Sequence, residues 1–218
     1  MEHRLAAIAK GYALMRAAHL DFAPALGRNS TARQPSPLDG VRGSQWRLVA
    51  AVAGFEIFLR GRIGREEKIW KLVEAALPMV SLAPPAPIAR RRRSAAPQPR
   101  TLERWLDFPA ASQKSRLADF LGLNKFEEPL LVNWLRGTSA VTEWVEHVAF
   151  ATALRNVTAH GALSAKKVRD LRLRRPFDVL PTHLFEFAAA SLEPAVAALA
   201  GGVSPPGKLA SRRRKVRR

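Results

Sequence analysis

Apolar residues return every three or four positions along most of the chain, and nowhere do they alternate with polar ones over more than a few residues. That period predicts helices. Residues 2–20 set Leu5, Ile8, Tyr12, Met15 and Leu20 among Arg4, Lys10, Arg16 and His19, an amphipathic helix in a region that Pro24 ends. A polar loop with Pro35, Pro37, Gly40 and Gly43 follows. The stretch from Ser44 to Leu59 is too long and too rich in Ala for a strand and too apolar for a surface helix, so it should lie in the core. Beyond a break at Gly61 and Gly64, residues 65–77 put Ile69, Trp70, Leu72, Val73 and Leu77 on one side until Pro78 stops the helix. Short helices are expected at 101–107, 112–122 and 127–136, with Trp105, Phe120, Leu121, Leu131 and Trp134 as buried anchors. A better-defined helix should be capped by Thr138 or Ser139 and run through Val141, Trp144, Val145, Val148 and Leu154 toward Gly161. Ser164 is placed to cap a basic helix reaching Arg174, and Thr182 to cap a last one ending near Gly201. No internal repeat recurs at a fixed period. The expected fold class is therefore all-α: one helical domain over 1–200, with a Pro- and Arg-rich flexible loop at 78–100, a small helical insertion at 101–137 and a disordered basic tail at 201–218.

Charge adds a partner class to this outline. The chain carries a formal +18 over 218 residues, and its position matters more than its sum. Arg90, Arg91, Arg92, Arg93 and Arg100 crowd one run, and Lys208, Arg212, Arg213, Arg214, Lys215, Arg217 and Arg218 another, so twelve of the eighteen net charges sit in two short segments. Prolines 84, 85, 87, 97 and 99 flank the first run, and Gly201, Gly202, Pro205, Pro206 and Gly207 precede the second. Both are expected to be mobile arms that attract RNA or DNA phosphates without reading sequence. The same runs also serve simply to keep a protein soluble. A composition of 47% hydrophobic and 25% charged residues excludes wholesale disorder. No apolar run approaches the length of a spanning helix, and Glu2, Arg4, Lys10 and Arg16 interrupt what a secretory leader would need, so no membrane partner is expected. The absence of cysteine removes disulfides, thiolate metal sites and a cysteine nucleophile, and points to a reducing, cytoplasmic setting. There is no Gly-rich phosphate loop and no His/Asp/Glu cluster at metal spacing, so neither metal nor cofactor is expected.

One segment concentrates useful chemistry: Leu154-Arg155-Asn156-Val157-Thr158-Ala159-His160-Gly161, where the long 139–160 helix runs out. Spacing alone is a weak signal in so Arg-rich a chain. Asn directly after Arg155 and Gly directly after His160 add weight. The segment resembles the Arg-polar-x-x-x-His motif of the HEPN superfamily, all-α domains that include ribonucleases. The core helix with its Phe55-Glu56 pair also looks like the long early helix of such domains, so the likeness spans roughly 44–77 and 138–200. What it implies is an HEPN-like helical bundle and metal-independent RNA cleavage, with Arg155 and His160 catalytic and Asn156 their polar companion. It further implies a homodimer in which two copies of the motif complete each site. A toxin or antiviral defence role, and an antitoxin or sensor protein as a further partner, belong to the same implication. Toxin members held by a nucleotidyltransferase antitoxin often carry a Tyr two residues after the His. Ala162 stands there, which puts that partnership in doubt.

The chemistry suits the residue types. RNA brings its own nucleophile, the 2′-hydroxyl, so cleavage needs a base for that proton and a cation for the charge growing on phosphate. Histidine, with a reference pKa of ~6.5, serves the first need and the permanently charged, forked arginine the second. Products would be a 2′,3′-cyclic phosphate and a 5′-hydroxyl. On a continuous helix at ~100° per residue, however, Arg155 and His160 lie ~140° apart, whereas Asn156 and His160 share a face. Either the helix unwinds before Gly161, or Arg and His meet across a two-fold axis. The same residues also describe an ordinary helix end, with Arg155 and His160 near the C-terminal carbonyls and Gly161 as a left-handed cap. Glu56, in an apolar helix, needs a partner and either orients Arg155 or forms a structural ion pair. Glu143 and His147 are spaced as a surface pair, His183 sits at an expected helix start, and the five Trp suit core anchors better than base-stacking platforms. The rival to catalysis is a non-catalytic RNA- or DNA-binding helical protein working through its basic arms.

Overall fold

The computed structural model describes residues 2–20, 40–80, 82–90, 99–106 and 116–192. Among these the chain forms helices α1 (Glu2–Leu20), α2 (Val41–Ile63), α3 (Ile69–Ala76), α4 (Leu117–Phe120), α5 (Glu127–Arg136), α6 (Trp144–Ala159), α7 (Ala165–Asp170) and α8 (Arg174–Ser191). The described residues contain no strand, only an isolated bridge between Ile88 and Val141. The fold is all-α. No helix among the described residues is long and apolar enough to cross a membrane.

Helix α2 is the hub, packed against α1, α3, α6 and α8. Its Leu48, Ala51, Val52, Phe55, Phe58 and Leu59 are sealed from solvent and form one continuous apolar stripe along the helix. Against α1 it comes unusually close: a Cβ added to Gly11 would fall 2.5 Å from both the Gly54 carbonyl oxygen and the Phe58 nitrogen. Backbone therefore meets backbone there. Gly61 does not break α2, as the sequence suggested, because its bare Cα lies under Arg4, whose carbonyl a Cβ would approach to 3.0 Å. Arg4 in turn donates from Nε to the Gly61 carbonyl at 3.0 Å and from Nη2 to that of Arg62 at 2.8 Å, satisfying carbonyls left open at the end of α2.

The basic loop is partly anchored. Ile88 is buried, exchanges backbone hydrogen bonds of 2.9 and 3.2 Å with Val141, and accepts from Trp134 Nε1 at 2.9 Å. Two residues on, the Arg90 guanidinium lies 5.4 Å from the Trp105 ring centroid and 5.9 Å from that of Trp134. Arg90 is thus held by cation–π contacts, contrary to the expectation of a mobile arm. Arg91, Arg92 and Arg93, and the whole tail with Arg212, Arg213, Arg214, Lys215, Arg217 and Arg218, lie outside the described residues.

Helix boundaries correct several expectations. Neither Thr138 nor Ser139 caps α6; Gly137 ends α5 in the left-handed region, Val141 is drawn to Ile88, and a capping box between Glu143 and Glu146 starts the helix. Ser164 caps α7 as expected, accepting from the Lys167 amide at 3.1 Å, but α7 ends at Asp170 and α8 begins afresh at Arg174. Thr182 caps nothing, because α8 runs straight through Pro181. An interior proline costs ~3 kcal/mol. Burial of Phe177, Leu180, Leu184 and Phe187 around it, at ~1.5–3 kcal/mol each, outweighs that cost. Trp105, Trp134 and Trp144 are buried anchors, whereas Trp46 is 59% exposed.

Candidate functional site

Helix α6 carries the Arg155–His160 segment and does not unwind before it ends. It stays helical through Ala159, His160 takes the C-cap, and Gly161 adopts φ 70°. Amide hydrogen bonds from Ala162 to the Val157 carbonyl, at 3.0 Å, and from Gly161 to that of Thr158, at 2.9 Å, close the end in a Schellman-type turn. The turn is fixed from below by Gln45 of α2, whose buried Nε2 donates to the Leu163 carbonyl at 3.1 Å. The predicted left-handed role of Gly161 holds.

The three motif residues face different neighbours. Arg155 reaches α2, its Nη2 standing 3.4 Å from Glu56 Oε2. Glu56 Oε1 is also 2.7 Å from Arg60 Nη2, and Arg60 pairs onward with Glu66, so Arg155 ends a chain of alternating charges. Glu56 therefore does hold Arg155, and does so as part of an ion-pair network between α2 and α6. Asn156 lies by Gly122, where an added Cβ would come 3.9 Å from its Nδ2. His160 is exposed, with its ring edge-on to Phe120, centroids 5.3 Å apart and planes at 60°. Arg155 and His160 of one chain do not converge.

The segment between α4 and α5 runs along this helix end in reverse order: Phe120 beside His160, Gly122 beside Asn156, and Glu127 near Arg155. Residues that looked like an insertion apart from the motif are its immediate surroundings. Phe120, expected as a buried anchor, is 47% exposed. Glu127 was not singled out from the sequence, although Asn124-x-x-Glu127 is a capping-box spacing. Asn124 Oδ1 accepts from the amides of Phe126 and Glu127 at 2.8 Å each, and Glu127 Oε2 accepts from the Asn124 amide at 3.2 Å. Burial pushes the Glu127 carboxyl above its ordinary range, while the Asn124 amide, Lys68 and Arg155 pull it back. Its carboxylate therefore bonds the Asn124 amide at the start of α5 and feels the charges of Lys68 and then Arg155.

The other flagged residues form a separate cluster. His147 is not on the surface beside Glu143; it is fully buried, its Nδ1 3.0 Å from the Glu143 carbonyl and its ring 5.1 Å from that of His183. His183 sits in mid-helix rather than at a helix start. Burial, and then the neighbouring His147, lower the His183 imidazole to about 4, and burial likewise lowers His147. Among the described residues no three His, Asp or Glu side chains gather as metal ligands would.

No protein family, curated protein sequence or solved structure matches the chain.

Proposed function

We propose that the chain is a metal-independent endoribonuclease of HEPN type, with His160 as general base and Arg155 as the cation that stabilises the phosphate in the transition state. The observation that supports this most is the end of α6: an exposed imidazole on a turn fixed by Gly161 and Gln45, one helical turn after Asn156, on the same helix as a guanidinium held by Glu56. In-line attack by a 2′-hydroxyl requires a solvent-accessible base and an oriented cation at the same phosphate. The 2′-oxygen bonds to phosphorus as its proton passes to His160, the bond to the 5′-oxygen breaks, and the departing oxygen takes a proton from water, leaving a 2′,3′-cyclic phosphate and a 5′-hydroxyl. Because Arg155 and His160 diverge on one helix, each site draws them from two chains in a homodimer, with Asn156 alongside. The basic runs gather RNA. A toxin or antiviral defence role in the cytoplasm, with an antitoxin or sensor protein as regulator, follows from the same reading.

Purified protein incubated with single-stranded RNA in chelator should give 2′,3′-cyclic phosphate ends. His160→Ala should slow cleavage ~10²–10⁴-fold, the usual contribution of a general base. Arg155→Ala should also abolish it, with both variants folded and still binding RNA. Unchanged cleavage in both sinks the proposal. The Arg155–Glu56 pair favours one rival, a non-catalytic RNA- or DNA-binding helical protein in which the motif only joins α6 to α2. In that case wild type cleaves nothing and Arg155→Ala shows up in stability alone.

A further inference from the structure

The ribonuclease reading assigns no group to the RNA bases, yet two exposed phenylalanines stand at the ends of the segment that passes the motif. Phe120 is 47% exposed and lies against the His160 ring. Phe126 is 39% exposed, immediately precedes Glu127 in the chain, and its ring is 6.0 Å from that of Trp70. A Lys71 ammonium stands 5.7 Å from the Trp70 centroid, and exposed Lys125 adjoins Phe126.

We propose that Phe120 and Phe126 are base-stacking contacts for single-stranded RNA at the two ends of the segment that passes the Arg155–His160 motif. This rests on the ribonuclease reading and extends it to the form of the substrate. Exposed apolar residues scattered singly are ordinary on a protein surface. What distinguishes these two is placement, one at each end of a segment that runs along the motif, with the candidate base His160 touching the first. A base stacked on Phe120 carries its phosphate within one nucleotide's reach of the imidazole. Every base has a π-face, so such contacts tolerate any sequence, and lysines beside the second ring suit the phosphates between. Single strands are the form selected, because a duplex already stacks its bases on one another.

The test is equilibrium binding of a fluorescently labelled eight-nucleotide RNA, and of the same sequence as a duplex, in chelator at fixed salt. Phe120→Leu and Phe126→Leu keep the apolar bulk and remove the ring; Phe120→Trp restores a ring. Single-strand affinity should fall about tenfold in each Leu variant and return in Phe120→Trp, with duplex affinity unchanged. Thermal melts equal to wild type for Phe120→Leu exclude misfolding as the cause. Unchanged single-strand affinity, an equal loss for the duplex, or no single-strand binding by wild type overturns the proposal. Ring-dependent binding without cleavage would keep the stacking contacts and reject the nuclease; cleavage without ring dependence would do the reverse.

Discussion

Replacing Gly11 by Ala sets two known effects against each other. In a helix interior Ala is favoured over Gly by ~1 kcal/mol, so propensity alone predicts a more stable protein. The packing says otherwise. The new methyl would stand 2.5 Å from the Gly54 oxygen, 2.5 Å from the Phe58 nitrogen and 2.8 Å from the Phe58 Cα, all backbone atoms that cannot rotate aside. Relief requires α1 and α2 to separate by roughly an ångström, at the ~1–3 kcal/mol typical of overpacking and here toward its upper end. The net expectation is a loss of about 1–2 kcal/mol. The exposed Ala13→Gly on the same helix provides a control that touches only propensity and should cost about 1 kcal/mol. Urea unfolding followed by helical circular dichroism measures both. A Gly11→Ala variant as stable as wild type, or more so, would refute backbone contact between these helices. It would also loosen the frame of the site, since Gly54 faces α1 while Glu56, ~200° further round α2, faces Arg155.

Two further outcomes follow from charge. His183 has a folded pKa of about 4 against 6.5 unfolded, so its contribution to stability is complete above 6.5 and is lost as pH falls toward 4. Between pH 7 and 4.5 that amounts to about 2 kcal/mol, partly offset by carboxyls such as Asp178 and Glu127 whose pKa values are raised and which act in the opposite direction. Urea titrations at both pH values should therefore show a shallower acid loss in His183→Phe than in wild type, and equal slopes would contradict the buried pair. For Glu56, a double-mutant cycle of Glu56→Gln with Arg155→Met should give a coupling of about 0.5–1 kcal/mol, as a partly exposed ion pair would, and zero coupling would mean the two side chains do not interact.

Much of the fold was legible because helix formation is local. The apolar period marked α1, α2, α3 and α5, and Ser164 and Gly161 declared a cap and a stop, since each of those signals acts within one turn of chain. The Arg155-Asn156 and His160 positions stood out for the same reason. What failed depended on segments far apart in sequence. Gly61 reads as a breaker until Arg4 covers it, Pro181 as a boundary until buried Phe177 and Phe187 outweigh it, and Thr138 as a cap until Ile88 claims Val141.

The site divides along the same line. By itself the sequence determined which groups are present at the end of α6, their helical spacing and the net positive charge of the chain, because identity, period and charge need no partner. Only the tertiary structure decided that Glu56 holds Arg155, that Arg90 is pinned on two tryptophans, and that Phe120 stands exposed against His160 rather than buried. Periodicity records that a residue is apolar and which side of its helix it occupies; what it faces depends on where the other helices come to rest.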